Sequence, residues 1–428
     1  MSYLRRLINI MAQVDTLCIQ QDDDVKNLRK QINQMEYIYN NALLTIVAIS
    51  GIDANSGLPG IRPNSRPYRF APLNQTQSLV ADTNDYNSIM RHSTYETRGW
   101  TFQERLLSRR VLYISDWIWF FSCFGRLLLD GRLLTLQPLK HYINSTRSVL
   151  LFYLCISPRN IMNKPTAFQL YCRMIEVYSK RRFTKSAEKL DAIVGINITL
   201  MPSLGLLGAG MHGGTVEYAI LWIAKTGYNA LRNTNFVSFS WTGWDCPITY
   251  DLACNVFLHI CGGIKYDLWY TCSIGHNYDR GKQYMDTLDV SKARMVPVHS
   301  FRPGPGNTIE LLKKKADKGA NDPPYAGVLF DTKLPVGEQA RSCYFFGMIA
   351  SPDCAPSFAI EAIYDQAFAG IEPEAMKDIN NIMLHANHLL VMLVEEVEGY
   401  FERLGLGQIL LTAWEDTEKE FQQSIRLI

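Results

Sequence analysis

One continuous stretch near the N-terminus limits what this chain can fold into. Met11 to Val14 run into Asp15-Thr16-Leu17-Cys18-Ile19-Gln20-Gln21, and an acidic triplet, Asp22 to Asp24, follows. Val25, Leu28, Ile32, Met35, Ile38, Tyr39 and Ala42 then recur at steps near three and four. That spacing gives a helix one apolar face, and the triplet supplies its N-cap and a negative first turn. Leu43 to Ile49 is a β-branched run, apolar on both faces, as in a strand of a parallel sheet covered on both sides. Strand end, loop, helix and buried strand in this order predict an α/β unit.

Turn residues Gly51, Gly57, Pro59, Gly60, Pro63 and Pro67 lead to a second dense segment, Arg98 to Ser108. Within it Trp100, Gln103 and Glu104 fall on one side of a helical turn, continued by Leu107. Val111 to Ile114 and Trp117 to Cys123 read as two strands around Ser115-Asp116. Residues 126–166 are irregular and proline-spaced, which marks a boundary. Helices are expected at 168–178, 187–198 and 215–225, with a glycine-rich loop at 205–214. From 236 the apolar period changes to two, predicting strands at 236–241, 255–261, 266–274, 325–331 and 343–349. A helix at 359–380, a hairpin of 389–397 with 400–411 bulged at Gly405 and Gly407, and a polar helix at 415–424 complete the pattern. The expected domains are 1–125, α/β; 126–235, a helical connecting region; and 236–428, a β-rich α+β region.

Composition excludes several classes. With 428 residues, 47% hydrophobic and 20% charged, the chain can bury a sizeable core. A net charge of +2 gives no electrostatic case for nucleic acid, and no apolar run reaches the ~20 residues of a membrane span. The ten cysteines form no C-x-x-C pair, so a zinc ribbon is not expected. His385 and His388 have no thiol or carboxylate set at ligand spacing, and no metal site is expected. The glycines at 205–214 lack the Lys-Ser/Thr of a phosphate-binding loop. With no signal-peptide layout at the N-terminus, the expectation is a soluble cytoplasmic chain with reduced thiols.

The two dense segments together resemble the heterokaryon incompatibility (HET) domain of filamentous fungi. One block is Asp15-x-x-Cys18-Ile19-x-Gln21 with Gln31, Met35, Ile38, Tyr39, Ala42 and Thr45-Ile46-Val47-Ala48; the other is Arg98-Gly99-Trp100-Thr101-Phe102-Gln103-Glu104-Arg105-Leu106-Leu107-Ser108. Gly57-Leu58-Pro59-Gly60 is a common companion. Asp191 to Ile196, Ala219 to Trp222 and Phe239 to Trp244 resemble the region downstream of such domains. The family's first block, a Ser-Tyr-x-Trp-Gly-like stretch, is missing ahead of Asp15, and Gln13 stands where an aromatic is usual, so the domain is expected to be N-terminally truncated. The resemblance implies an effector of fungal nonself recognition that signals to programmed cell death through protein partners of an incompatibility system, with self-association as a companion expectation. It also implies a TIR-like, flavodoxin-like fold with a partial parallel sheet. Some TIR domains cleave NAD with a glutamate in a Trp-x-x-x-Glu context, the spacing of Trp100 and Glu104. A decayed, inactive paralogue is the third reading.

Glu104 is the catalytic candidate: a carboxylate beside an aromatic wall can stabilise positive charge developing on a ribose. Structurally, a carboxylate beside Arg98, Arg105 and Arg109 is an ordinary ion-pair partner. Asp15 is either a ligand contact at a strand end or a helix cap or loop hydrogen bond. Cys18 is either a nucleophile, which needs an activating base, or a small buried thiol. Gln21 is expected to tie loop amides together, and Trp100 to be core. NAD is the one small molecule implied, as a substrate, and no resident cofactor is expected.

Overall fold

The β-branched run does form a strand, β1, Thr45–Ala48. It lies parallel to β2, Arg110–Ile114, with Thr45 opposite Val111 and Ala48 opposite Ile114. This computed structural model describes residues 34–35, 37–52, 56–60, 70–72, 74, 77–80, 89–90, 92–116, 118–123, 126–129, 132–133, 163–225, 230–263, 265–278, 284–312, 325–351, 387–417 and 420–428. Asp15, Cys18, Gln21 and the expected helix at 359–380 lie outside the described residues. The chain divides into two compact units, one of residues 1–160 with 181–199, the other of 161–180 with 200–428. The composition-based boundaries at 125 and 235 do not anticipate the return of 181–199 to the first unit.

In the first unit β1 and β2 continue into β3 (Trp119–Cys123), β4 (Arg126–Leu129) and β5 (Arg132–Leu133), in that spatial order. Among these pairs only β1–β2 is parallel; each later strand returns antiparallel on the last. The sheet is therefore mixed, and its parallel character rests on one pair. Val47 and Ile49 are buried while Thr45, Ile46 and Ala48 are half-buried, so β1 is less enclosed than its composition suggested. Val47, Ile49, Met90, Tyr95, Val111, Tyr113, Ile118 and Phe120 form one core cluster, in which Tyr113 stacks on Phe120 at 5.0 Å.

The second unit combines helices with a large sheet. Helix α1, Lys164–Tyr178, starts at Asn163, whose side chain accepts the Thr166 N–H at 2.9 Å. A minute hairpin follows, β6 (Leu207–Gly208) and β7 (Met211–His212), then α2, Val216–Ala219, and α3, Asp251–Cys261. Phe168 of α1 packs edge-on against Phe257 of α3 at 4.7 Å. The sheet contains β8 (Thr271–Tyr278), β9 (Tyr284–Pro297), β10 (Tyr325–Leu329), β11 (Cys343–Ala350), β12 (His388–Val397), β13 (Tyr400–Leu410) and β14 (Phe421–Leu427). Strands β9, β11, β12, β13 and β14 pair in a ring: β9 with β11, β11 with β12, β12 with β13, and β14 back to β9. The ring closes where Phe401 of β13 meets Leu427 of β14 in parallel. The register slips between Leu393 and Val394 opposite Gly405 and Arg403, the bulge expected at Gly405. At Gly327 a Cβ would lie 2.1 Å from the Gln408 carbonyl oxygen, so β10 approaches β13 only with glycine there.

Four expectations fail, the first being the helix at 215–225, which stops at Ala219 while Ile223–Ala224 pair as a strand with Ile248–Thr249. Residues 236–241 are not a strand: Ser240 caps a 3-10 turn at Trp241–Gly243 by accepting the Thr242 N–H at 3.1 Å. The alternation was misleading because Ser238 and Ser240 are buried together with Phe239 and Trp241, their hydroxyls spent on the carbonyls of Ile428 and Ala209. Residues 255–261 belong to α3, whose positions 252–259 are all buried; a short apolar run cannot separate strand from buried helix. The polar helix at 415–424 gives way to α4, Leu411–Glu415, and then β14, where Ile425 and Leu427 turn inward between exposed Ser424 and Arg426.

Arg403 fixes the ring to the irregular segment beside it. Its side chain is 1% exposed; Nη1 donates to Ile220 O at 2.6 Å, Nη2 donates to Trp222 O, and the guanidinium stacks over the Trp222 ring at 3.6 Å. Asp331, 3.6 Å away, also accepts the N–H groups of Leu406 and Ala224. Burial pulls the Arg403 guanidinium down to about 10, and Asp331 opposes that loss. Truncating one partner of a buried pair costs about 3–5 kcal/mol, whereas an exposed pair is worth less than about 1 kcal/mol. Arg403→Ala is therefore expected to lower the urea midpoint of this unit sharply. Arg302→Ala, which breaks the more exposed Arg302–Glu310 pair at 2.9 Å, is expected to leave it nearly unchanged.

Candidate functional site

The dense segment at 98–108 folds as a turn, a tight bend and a helix. Ser93 caps the short helix Thr94–Thr97 by accepting the Glu96 N–H at 3.3 Å and donating to Met90 O at 2.8 Å. This places Glu96 half-buried with its carboxylate facing back under the chain. Residues 97–99 then run beside 181–183: Arg182 N–H donates to Thr97 O at 2.6 Å, and Gly99 N–H to Arg182 O at 3.0 Å. Gly99 is dictated by this contact, because a Cβ would lie 1.9 Å from Phe183 Cε1.

Helix Thr101–Leu107 is buried along most of its length; Glu104 is its one half-buried residue. Trp100, at its N-cap, donates from Nε1 to Glu188 Oε2 at 2.9 Å. Gln103 is wholly buried: its Oε1 accepts the Gly195 N–H at 2.9 Å, and its Nε2 lies 4.0 Å from Met35 Sδ. One carboxamide thus spans the helix before β1 and the 191–199 segment. The Ser108 hydroxyl donates to Glu104 O at 2.6 Å and meets the Thr45 hydroxyl of β1 at 2.7 Å.

The strongest electrostatic feature is a carboxylate between two guanidiniums. Arg105 Nη1 lies 2.5 Å from Glu96 Oε1 and Arg181 Nη2 lies 2.8 Å from Glu96 Oε2, the two arginine side chains being 4% and 2% exposed. Arg181 also donates to Arg98 O at 2.8 Å and to the Thr101 hydroxyl at 3.0 Å, and it sits 4.8 Å over the Phe102 ring. Neither Glu96 nor Arg181 was singled out from the sequence. Arg181 lies within Lys180-Arg181-Arg182, which reads as solvated charge; Arg182 is exposed and Arg181 is not.

Glu104 lies one helical turn from Trp100, the two side by side and half-buried. Its charge helps burial push the Tyr95 hydroxyl well above 10, burial being the larger cause. Among the described residues that hydroxyl has no hydrogen-bond partner. Arg109 donates to Asn40 Oδ1 at 2.9 Å, and Arg98 is exposed with its carbonyl taken by Arg181. The structure thus brings Gly99, Trp100, Gln103 and Glu104 into one packed element. Among the described residues no group of three or more His, Cys, Asp or Glu could hold a metal ion, and no helix is long and apolar enough to cross a membrane.

Overpacking a filled contact costs about 1–3 kcal/mol. Gly99→Ala is therefore expected to reduce amide-exchange protection of helix Thr101–Leu107, and adding Phe183→Ala is expected to restore most of it. Equal loss in the single and double variants would show that Phe183 is not what the glycine accommodates.

No curated protein and no solved structure matches the chain. A family model described as heterokaryon incompatibility protein (HET) matches residues 1–104, a span that ends inside the helix just described, and over that span the chain carries a HET domain.

Proposed function

We propose that the chain is a cytoplasmic heterokaryon-incompatibility effector whose HET domain signals toward growth arrest or cell death by contacting protein partners, including further copies of itself. The observation that carries this reading is the internal use of the 98–108 segment. Gln103, the middle residue of the block, is wholly buried and bonded on both sides. Gly99, Thr101, Phe102, Arg105, Leu106, Leu107 and Ser108 are buried around it. A segment occupied in this way holds a rigid scaffold together, and a scaffold acts on partners through its surface.

One observation favours a second reading. Trp100 and Glu104 sit on the same side of the helix, half-buried, and an accessible carboxylate next to an aromatic ring is the arrangement a TIR-like NAD glycohydrolase would use. Controlled expression in a filamentous fungus separates the readings. Wild type is expected to arrest growth, and Glu104→Gln is expected to arrest it equally, with the cellular NAD pool unchanged in both. An NAD pool that collapses with wild type and is spared by Glu104→Gln would replace the contact reading with the enzymatic one. Folded wild-type protein that leaves growth untouched would favour an inactive paralogue.

A further inference from the structure

The Ala209-Gly210 turn is a loop tip buried in the second unit. Both residues have positive φ, 50° and 76°, the signature of a tight hairpin turn. Such turns ordinarily sit at the surface, where water serves their backbone groups. This one is buried, and side chains take the place of water. Asp286 Oδ2 accepts the Ala209 N–H at 2.5 Å, and the Ser240 hydroxyl donates to Ala209 O at 2.6 Å. Tyr171 Oη and Trp241 Nε1 donate to Gly210 O at 2.8 and 3.3 Å. The hairpin begins and ends in glycine. Gly205 has φ 87°, and a Cβ on Gly214 would lie 2.6 Å from Leu204 O. Leu206, next to the first hinge, is 76% exposed.

His212, on β7, sits under this tip and is wholly buried. Its Nδ1 lies 3.1 Å from Gly205 O. A carbonyl only accepts, so Nδ1 carries the proton and Nε2 presents a bare lone pair. Among the described residues Nε2 has no hydrogen-bond partner, and the nearest ring, Tyr171, stands edge-on with centroids 5.3 Å apart. Other titratable groups on the elements around the hairpin include the Arg173–Glu176–Asp251 cluster of α1 and α3, Cys172 on α1, Tyr250 ahead of α3, Glu217 and Tyr218 on α2, and Asp286 on β9. Tyr171 and Tyr250 are neutral phenols whose ionisation burial suppresses. Asp286 is engaged at the hairpin tip.

We propose that the 205–214 hairpin is a proton-operated latch, released when His212 is protonated at Nε2 and opening the cradle formed by Tyr171, Ser240, Trp241 and Asp286. A second N–H on the buried ring would have no acceptor, and an unpartnered buried cation is strongly disfavoured. Burial accordingly holds the closed imidazole below 6.5, with only the Gly205 bond opposing it, whereas an opened hairpin exposes the ring to water. The sign follows. Above about 6.5 both forms are neutral and the latch keeps its full closing energy. As the pH falls below that value the opened form binds one more proton, so the opening constant rises by up to about tenfold per pH unit until the closed form also titrates. The latch is independent of the reading proposed for the HET domain.

Amide hydrogen exchange on the full chain, corrected for intrinsic rates, tests this. Between pH 7.5 and pH 5.5 the peptide covering 205–214 is expected to lose protection by up to about tenfold per pH unit below about 6.5, while β12 stays protected. In His212→Asn the amide nitrogen keeps the bond to Gly205 O but does not titrate, and a flat profile is expected. A flat wild-type profile overturns the latch, as does a slope that persists in His212→Asn or a parallel loss in β12. A slope removed by Asp286→Asn and kept by His212→Asn overturns it too, by making Asp286 the trigger. Should His212→Asn fail to protect β12 at pH 7.5, the wild-type imidazole decides by NMR titration. The latch requires it to stay neutral while the hairpin is protected; titration near 6.5 with protection intact overturns the proposal.

Discussion

Glu96 placed between Arg105 and Arg181 decides how the first unit can close. Two buried cations cannot both be neutralised by one carboxylate, and desolvating them costs more than a single ion pair returns. The remaining demand is met locally: Arg98 O, the Thr101 hydroxyl and the face of Phe102 all turn toward Arg181. The product is register more than net stability. Sliding residues 181–199 by one position would exchange buried Arg181 for Arg182, which now lies exposed and pairs its backbone with Thr97 and Gly99. Such a slip would break the backbone bonds of Arg182 to Thr97 and Gly99 and drive Phe183 away from the gap that Gly99 leaves open.

The second unit solves the same problem in the same way. Residues 220–222 pass the sheet ring outside any strand, and a buried acceptor without a donor is costly. Arg403 reaches Ile220 O and Trp222 O from the ring, and Asp331 accepts from Ala224 and Leu406. The Ala209-Gly210 turn is treated likewise by Ser240, Tyr171, Trp241 and Asp286. In each case polar side chains replace the ladder or the water that irregular backbone lacks. His212 stands outside that scheme, as His259 does, since the Nε2 of each is left without a partner among the described residues.

Regular elements were legible where one period governed both neighbours and burial. Val111 to Ile114, the segment at 119–123, the helix at 164–178 and the hairpin of 388–397 with 400–410 all emerged near their expected places. Legibility failed where burial was all-round or where hydroxyls were buried, as at 252–259 and at Ser238 and Ser240. Of the candidate site, the 98–108 segment could be recognised as a unit, and Gly99 and Gln103 as part of it. What those residues touch could not be read. Phe183, Glu188 and Gly195 lie some eighty to ninety positions away, and Arg181 looks in sequence like any surface cation. Long-range pairing leaves no local period, so the sequence held the motif and concealed its partners.

That asymmetry explains why the HET match and the folded unit end at different places. The matched span stops at residue 104, within a helix that continues to Leu107. The groups that satisfy this helix come from beyond the span: Gly195 N–H for Gln103, Glu188 for Trp100, and Arg181 for Glu96, Arg98 and Thr101. Strand β2, the parallel neighbour of β1, also begins after it. Residues 1–104 alone would expose the buried face of that helix and leave the Gln103 carboxamide without the Gly195 N–H it accepts. The smallest piece that meets these polar demands includes 105–123 and 181–199, which makes the physical domain discontinuous in sequence although its recognisable motif is not.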